Sequence, residues 1–255
     1  MKYYRMIGLM GLLIFSFYLT DLVTDIAINS NSLMNVIKYR KDNYNCKSVN
    51  ATIDGNTIIP GIKGKYVNEM KSYINMRDFG SFNENYLIYD YILPDVSIDN
   101  NKDKIIISGN KTNRNVSILV YNNNSIYNYL KNSYIEYTKL IKYNDNIDYK
   151  DNVNIENDKK KFLDLDTLLN KKNLNNNICI IDYSNIEACI EKEYYLVKPN
   201  IVLKNNNFNT ILNNISNGSI ILIDDNLELS NFKIFLKYLE SKDLKSVQLN
   251  KIIKE

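Results

Sequence analysis

The feature that most constrains the fold is a continuous apolar run near the C-terminus, residues 219–223, with the sequence Ser-Ile-Ile-Leu-Ile. Gly218 precedes the run, and Asp224 and Asp225 follow it. A strand without polar alternation is typical of a parallel sheet that is covered on both faces. The run therefore predicts a buried strand in an α/β domain.

Helical and strand-like patterns alternate on either side of this run. Phe208, Ile211, Leu212 and Ile215 have the i, i+3, i+4, i+7 spacing of a helix that Gly218 would close. Further strands are predicted at residues 116–121, 178–182, 201–203 and 246–249. Helices are predicted after Ser125, after a Ser184 cap and after a Ser230 cap, and at residues 251–254. Alternating strands and helices indicate a parallel α/β layer or barrel.

The N-terminus has the pattern of a membrane-directed segment. Lys2 and Arg5 precede an apolar stretch at residues 6–19, and no small-x-small cleavage site follows closely. Residues 1–29 are predicted to be an uncleaved signal-anchor helix, with a cleaved signal as second choice and a buried helix as third. Because positive residues stay inside, the rest of the chain is expected outside the cytoplasm, on a single-pass membrane protein.

Two further regions follow the anchor. Residues 30–113 are predicted to hold a stalk or solvated helix, up to residue 45, and then a small β-rich (α+β) domain. Residues 114–255 are predicted to form the α/β domain. Within it, the polar stretch 144–161 is predicted to be a surface excursion.

Composition excludes several classes of function. Lys and Arg total 32 against 29 Asp and Glu, a balance that does not favour a nucleic-acid partner. The absence of histidine excludes Ser–His and Cys–His nucleophile systems. The spacing of Cys179 and Cys189 permits a disulfide in an oxidising compartment, and two buried thiols fit it equally well.

Several segments of the chain resemble parts of one known protein family. Residues 217–225, Asn-Gly-Ser-Ile-Ile-Leu-Ile-Asp-Asp, followed by a helix and residues 244–249, are similar to the last strand–helix–strand unit of the NodB-homology polysaccharide deacetylase family. Residues 116–124 resemble its first strand. Residues 56–81 and 104–110 resemble the β-rich extension of anchored members. The resemblance implies a deformed (β/α) barrel, truncated by loss of a strand–helix unit near residues 144–161.

The resemblance also implies a site, and this chain lacks its chemistry. The family's paired carboxylates, one a general base and one a metal ligand, fall on Asn122 and Asn123. The catalytic histidine of its last strand falls on Asp224, and the family's metal-binding histidine pair and Arg-Pro motif are missing. No intact catalytic site, metal or cofactor is therefore expected.

Three hypotheses follow. The first is a catalytically inactive, membrane-anchored deacetylase-like protein that binds a cell-wall glycan or an envelope protein. The second is an active carbohydrate deacetylase or hydrolase with a carboxylate-only metal site at Asp182, Asp224 and Asp225, which follow predicted parallel strands. The third is an unrelated structural membrane-anchored protein.

Overall fold

The structure is a computed structural model that describes residues 2–147 and 151–255. The chain divides into two compact units. Unit 1 comprises Met1–Ser48 and Lys63–Ile92, and unit 2 comprises Val49–Ile62 and Leu93–Glu255. Residues 49–62 and 93–113 therefore pack with the C-terminal α/β part, whereas the sequence suggested a domain limit at residue 113. The reason is that strands from these segments pair with strands of the C-terminal part.

The helices and strands alternate through most of the chain. The helices are α1 (Lys2–Asn29), α2 (Ser32–Arg40), α3 (Glu69–Met76), α4 (Asn124–Lys131), α5 (Lys159–Lys171), α6 (Ile186–Glu191), α7 (Phe208–Leu212), α8 (Leu229–Ser241) and α9 (Leu249–Ile253). The strands are β1 (Thr52–Asp54), β2 (Thr57–Ile59), β3 (Gly64–Val67), β4 (Tyr89–Ile92), β5 (Ile105–Ile106), β6 (Asn115–Val120), β7 (Thr138–Ile141), β8 (Asn152–Asn154), β9 (Ile178–Ile180), β10 (Tyr195–Val197), β11 (Ile201–Leu203), β12 (Ile220–Ile223) and β13 (Lys245–Ser246).

Unit 1 starts with the apolar helix. Met6–Asn29 is 24 residues long, has a mean hydropathy of 1.9 and is long and apolar enough to cross a membrane. Helix α2 begins after a break of two residues, and Asn31 caps it by accepting a hydrogen bond from the Leu33 amide. Leu33 and Ile37 are buried against residues of β3 and α3. The segment predicted as a stalk or solvated helix is therefore helical at Ser32–Arg40, and this helix has a buried apolar face.

Unit 2 is built on two sheets that confirm the parallel α/β class. One sheet has the strand order β1-β2-β5-β10-β9, and the other has the order β11-β12-β6-β7-β8, with β13 also paired to β6. All pairings in unit 2 between these named strands are parallel except β1 with β2. Closure of the two sheets into a barrel stays a prediction.

The two sheets share one apolar core. Ile58, Ile106 and Val197 of the first sheet belong to the same buried cluster as Leu119 and Leu222 of the second. Helices α4, α7 and α8 cover the other face of the second sheet, where Phe232 and Phe235 are fully buried. The four residues of β12 are all buried, so the strand predicted from the apolar run is confirmed.

The polar stretch at residues 144–161 is exposed at residues 144–146 and at most of residues 157–161, as predicted for a surface excursion, whereas residues 151–155 between them are buried. Strand β8 lies in this buried part, and α5 begins at Lys159. Loss of a strand–helix unit near this segment stays a prediction. Residues 148–150 of the predicted excursion lie outside the described residues.

The helix caps differ from the predicted ones. Asn185, not Ser184, caps α6, because its side chain accepts from the Ala188 amide at 2.9 Å. Ser184 is buried, and its hydroxyl instead donates to the Asn154 carbonyl at 2.8 Å. Helix α8 begins at Leu229 after Glu228, which places Ser230 inside its first turn.

Candidate functional site

Polar side chains follow β6 and β12 at one edge of the second sheet. The two strands are parallel, with Val120 opposite Ile223. Asn122 and Asn123, just after β6, therefore lie at the same edge as Asp224, which follows β12 directly. Ligands of open α/β sheets bind outside this carboxyl edge.

Asn123 is buried, and its side chain connects the two strand ends. Its Nδ2 donates to the backbone carbonyls of Asp224 at 3.3 Å, Asp225 at 3.0 Å and Leu227 at 3.0 Å. Its Oδ1 accepts from the Ile126 amide at 3.2 Å and from the Ser125 hydroxyl at 2.9 Å, which caps α4. Both polar atoms of this side chain are therefore engaged inside the protein.

Asn122 is exposed and adopts a left-handed backbone conformation, with φ of 45°. Asparagine is one of the few residues that tolerate this region. The residue lines a cavity of about 250 Å³ together with Tyr121, Tyr127, Lys139 and Asp145. The Lys139 ammonium donates to the Asn146 carbonyl at 2.7 Å and lies 4.6 Å from the Tyr127 ring centroid. The cavity is thus polar, with aromatic faces in its wall.

Lys139 and Asp145 were not predicted as cavity residues, because no strand was predicted at β7. A sequence signal exists, since Thr138, Leu140 and Ile141 are β-branched or apolar residues in one short segment, a composition typical of strands. All three are buried in the structure.

Asp224 forms a turn rather than a free catalytic group. Its Oδ1 accepts from the Asn226 amide at 3.1 Å, and its Oδ2 lies 3.9 Å from Lys204 Nζ. Its side chain is 29% exposed. These contacts are those of an Asx turn with a loose ion pair.

The three aspartates of the alternative site gather around one tyrosine. Burial raises the pKa of Tyr183, and the negative charges of Asp225, Asp182 and Asp224 raise it further. Asp182 and Asp225 are exposed, and Asp182 has a left-handed φ of 75°. The three carboxylates therefore share an electrostatic neighbourhood at the carboxyl ends of β9 and β12. Across residues 2–147 and 151–255, however, no three His, Cys, Asp or Glu side chains are arranged to hold a metal ion.

The family's metal does not fit the donors present. A catalytic zinc site uses three protein ligands of nitrogen, sulfur or carboxylate type. At the corresponding positions this chain offers an exposed amide at Asn122, a fully engaged amide at Asn123 and one carboxylate at Asp224. These donors therefore do not make up the family's metal site.

Cys179 and Cys189 form a disulfide that joins β9 to α6. This settles the alternative that the sequence left open. Next to it lies the buried carboxylate of Asp166, which accepts from the Tyr194 hydroxyl and the Asn175 amide, each at 2.7 Å. Burial and the Asp166 carboxylate raise the pKa of Tyr194 to about 12. No sequence pattern indicates this network, because its members are distant along the chain.

Comparison with known proteins gives a structural likeness only. No protein-family model and no curated protein matches the chain. Among solved structures, a mutant of BA3943, a CE4 family pseudoenzyme with restored enzymatic activity, shares 15% identity at a TM-score of 0.61, covering 88% of this chain and 98% of that chain. Wild-type BA3943 from Bacillus anthracis shares 14% identity at a TM-score of 0.60, covering 88% of this chain and 95% of that chain.

At these identities the likeness concerns the fold. It extends over most of both chains, and it agrees with the parallel strands and covering helices described above. The resemblance inferred from the C-terminal strand–helix–strand unit is thus confirmed at that level: the chain has the fold of CE4 family pseudoenzymes, which is that of NodB-type polysaccharide deacetylases.

Proposed function

We propose that this chain is a membrane-anchored, extracytoplasmic deacetylase-like protein that lacks catalysis and acts as a binding or scaffolding module of the cell envelope. The observation that carries the proposal is the side chain of Asn123. Where the family places a carboxylate, this chain has an amide that donates to three backbone carbonyls and caps α4. The position serves the structure instead of a reaction.

An amide in place of a general base removes the group that would accept a proton. An amide does not take up a proton at neutral pH, and a positioned general base contributes about 10²–10⁴ in rate. Asp224 remains as a titratable group at this edge, but its oxygens face the Asn226 amide and Lys204. The arrangement can bind polar ligands without transforming them.

The proposed location rests on two features. The segment Met6–Asn29 of helix α1 has the length and apolarity of a membrane span, and the positive residues Lys2 and Arg5 precede this segment. Unit 2 contains a disulfide, and disulfides persist in oxidising compartments outside the cytoplasm. Both features support an anchored protein whose larger part lies outside.

The cavity beside Asn122 is the proposed ligand site. Its lining offers the amides of Asn122 and Asn124 and the rings of Tyr121 and Tyr127. Amides and aromatic faces suit the hydroxyls and apolar faces of sugars, so a cell-wall glycan is the ligand class we favour over an envelope protein. Cosedimentation of the full chain with purified cell-wall glycan tests this. Tyr121→Ala combined with Asn122→Ala should weaken retention, whereas Asn128→Ala on the exposed side of α4 should not.

The test of inactivity is acetate release by the full chain in neutral detergent, from acetylated glycans, with Zn²⁺ or Co²⁺ added. We expect no release above buffer and no retained metal after dialysis. Metal-dependent release would overturn the proposal.

A second candidate is catalysis at a carboxylate-only site. Its support is that the pKa of Tyr183 is raised by burial and then further by the nearby negative charges of Asp225, Asp182 and Asp224. Oxygen donors of this kind suit Mg²⁺, Mn²⁺ or Ca²⁺. If activity is found, Asp224→Asn combined with Asp225→Asn should abolish it, while Asp103→Asn in an exposed turn should leave it intact.

The third hypothesis, an unrelated structural protein, is not supported. It predicts the absence of a parallel sheet, whereas unit 2 has parallel sheets and the fold of CE4 pseudoenzymes.

A further inference from the structure

A second cavity lies at the opposite edge of the same sheet. It has a volume of about 480 Å³ and is lined by residues that precede β6, β12 and β13. Because these strands are parallel, their amino ends lie together, away from the carboxyl edge where Asn122 and Asp224 lie. This second cavity is therefore distinct from the site proposed above.

The charged groups of this amino-end cavity are both positive. Lys111 and Lys242 line it, and its lining contains no carboxylate. Neither ammonium pairs with an acidic side chain in the part of the chain that the structure describes. The carboxylate of Asp243, the residue that follows Lys242, is instead paired with Arg114 Nη1. Two lysines thus share a cavity without a counter-charge.

Neutral donors complete the lining. Asn213, Ser216 and Tyr238 line the cavity, and within the described residues the Asn213 amide and the Ser216 and Tyr238 hydroxyls make no hydrogen bond to the protein. The buried side chains of Ile215 and Leu244 form an apolar part of the wall. Unengaged donors around two cations fit an anion that has several acceptor oxygens.

The cavity wall is held in place by the fold. Asn217 Nδ2 donates to the Lys111 carbonyl at 3.1 Å, and the Gly218 amide donates to the Asn115 carbonyl at 2.8 Å. The Lys242 ammonium lies 5.6 Å from the Tyr238 ring centroid, within the range of a cation–π contact. These contacts attach both lysines to ordered segments, which reduces the entropy lost when they bind a ligand.

We propose that the amino-end cavity binds a phosphate group carried by a sugar or polyol. A phosphate presents enough oxygens for both ammonium groups and the neutral donors, and a polyol matches the amide and hydroxyls beside them. A carboxylate has two oxygens with about four acceptor sites, fewer than a phosphate group offers. The proposal is independent of the deacetylase-like site, because it uses none of that site's residues.

The test is equilibrium dialysis of the full chain in neutral detergent with radiolabelled glycerol 3-phosphate. We expect one site per chain and competition by inorganic phosphate but not by glycerol or acetate. Lys111→Gln combined with Lys242→Gln should weaken binding about tenfold or more, because two charge-assisted contacts are lost. Lys160→Gln, an exposed lysine of α5, is the matched control. Lys111→Arg combined with Lys242→Arg should retain binding.

Three results would overturn the proposal. They are the absence of saturable binding, equal competition by acetate, and undiminished binding in the double glutamine variant. Because both lysines are exposed, the double variant should unfold at the same temperature as the wild type, and this measurement separates loss of the site from loss of the fold.

Discussion

Asn123 shows how one buried amide can join two strand ends. It satisfies carbonyls of the turn after β12 and the first turn of α4 at once. A carboxylate at this position could still cap the helix, since aspartate is as good an N-cap as asparagine. It could not donate to the three carbonyls, so the two functions of the side chain can be separated by mutation.

Asn123→Asp should therefore lower the free energy of unfolding by about 1–3 kcal/mol, the usual cost of leaving buried polar groups unpaired. Urea denaturation of the full chain measures this change. Asn124→Asp, one residue along and exposed, should change stability by less than about 0.5 kcal/mol. Equal stability of wild type and Asn123→Asp would contradict the assigned hydrogen bonds.

Asp151 is a buried residue whose charge state can be tested. Its carboxylate is buried, accepts from Thr138 Oγ1, and accepts from Asn176 Nδ2 at 2.6 Å. Burial raises the pKa of Asp151 above its usual 3.8, although both hydrogen bonds oppose the shift. Between these two pKa values the folded state holds a proton that the unfolded state has lost, so this group's contribution to stability falls as pH rises through that window.

Asp151→Asn should remove this pH dependence. The stability of the wild type relative to the variant should decrease from about pH 4 upward, toward the raised pKa of the folded state. Urea midpoints recorded across that range give the comparison, with Asp103→Asn, an exposed residue, as control. A constant difference between wild type and Asp151→Asn would refute the raised pKa.

At the scale of the element, strands could be predicted from the sequence where all of their buried residues are apolar. The run in β12 and the stripe of α8 could be read from the sequence because each pattern has one physical cause, burial against an apolar core. Strand β8 could not, since its buried Asn152 and Asn154 read as a polar loop. Asn154 Nδ2 donates to the Phe162 carbonyl at 2.9 Å, a partner that only the folded chain supplies.

Helix α5 is a different case. Phe162, Leu165 and Leu169 are spaced as one buried face, and Asp158 caps the helix by accepting from the Lys161 amide. That pattern is present in the sequence next to the lysine run, although no helix was predicted there.

The candidate site was also only partly predictable from the sequence. The resemblance indicated the positions of Asn122, Asn123 and Asp224, whereas no sequence pattern indicated the three carbonyl partners of Asn123.

The disulfide stabilises the element formed by β9 and α6. It closes a loop with a sequence separation of 10 residues. Loop-closure entropy for this length corresponds to about 2–3 kcal/mol. Cys179→Ala combined with Cys189→Ala should lower the free energy of unfolding by that amount, measured by urea denaturation. A reducing agent should destabilise the wild type by a similar amount and leave the stability of the double variant unchanged. If the reducing agent also destabilised the double variant, its effect on the wild type could not be assigned to this disulfide.

For the whole molecule, the proposed anchoring and orientation can be tested at one residue. Cys46 is exposed and free, and it follows the apolar helix in unit 1. It is therefore a natural reporter of topology. The proposed orientation predicts that a membrane-impermeant maleimide labels the protein in intact cells.

The control for this labelling is Cys46→Ser, which should remain unlabelled because the other two cysteines are joined to each other. Labelling that requires cell lysis would place residue 46 inside and refute the orientation. Retention of the protein in the membrane fraction after alkaline extraction tests the anchor independently.

Unit 2 is discontinuous along the chain, and this affects the order in which its strands can pair during folding. Strand β2 pairs with β5 across an insertion, residues 63–92, that belongs to unit 1. The Glu255 carboxylate accepts from the amides of Gly61 at 2.6 Å and Ile98 at 3.1 Å. The β1–β2 hairpin is synthesised long before these partners, and pairings of such large sequence separation form slowly. The hairpin therefore has an unpaired edge until β5 is available, and an unpaired edge strand is prone to aggregation.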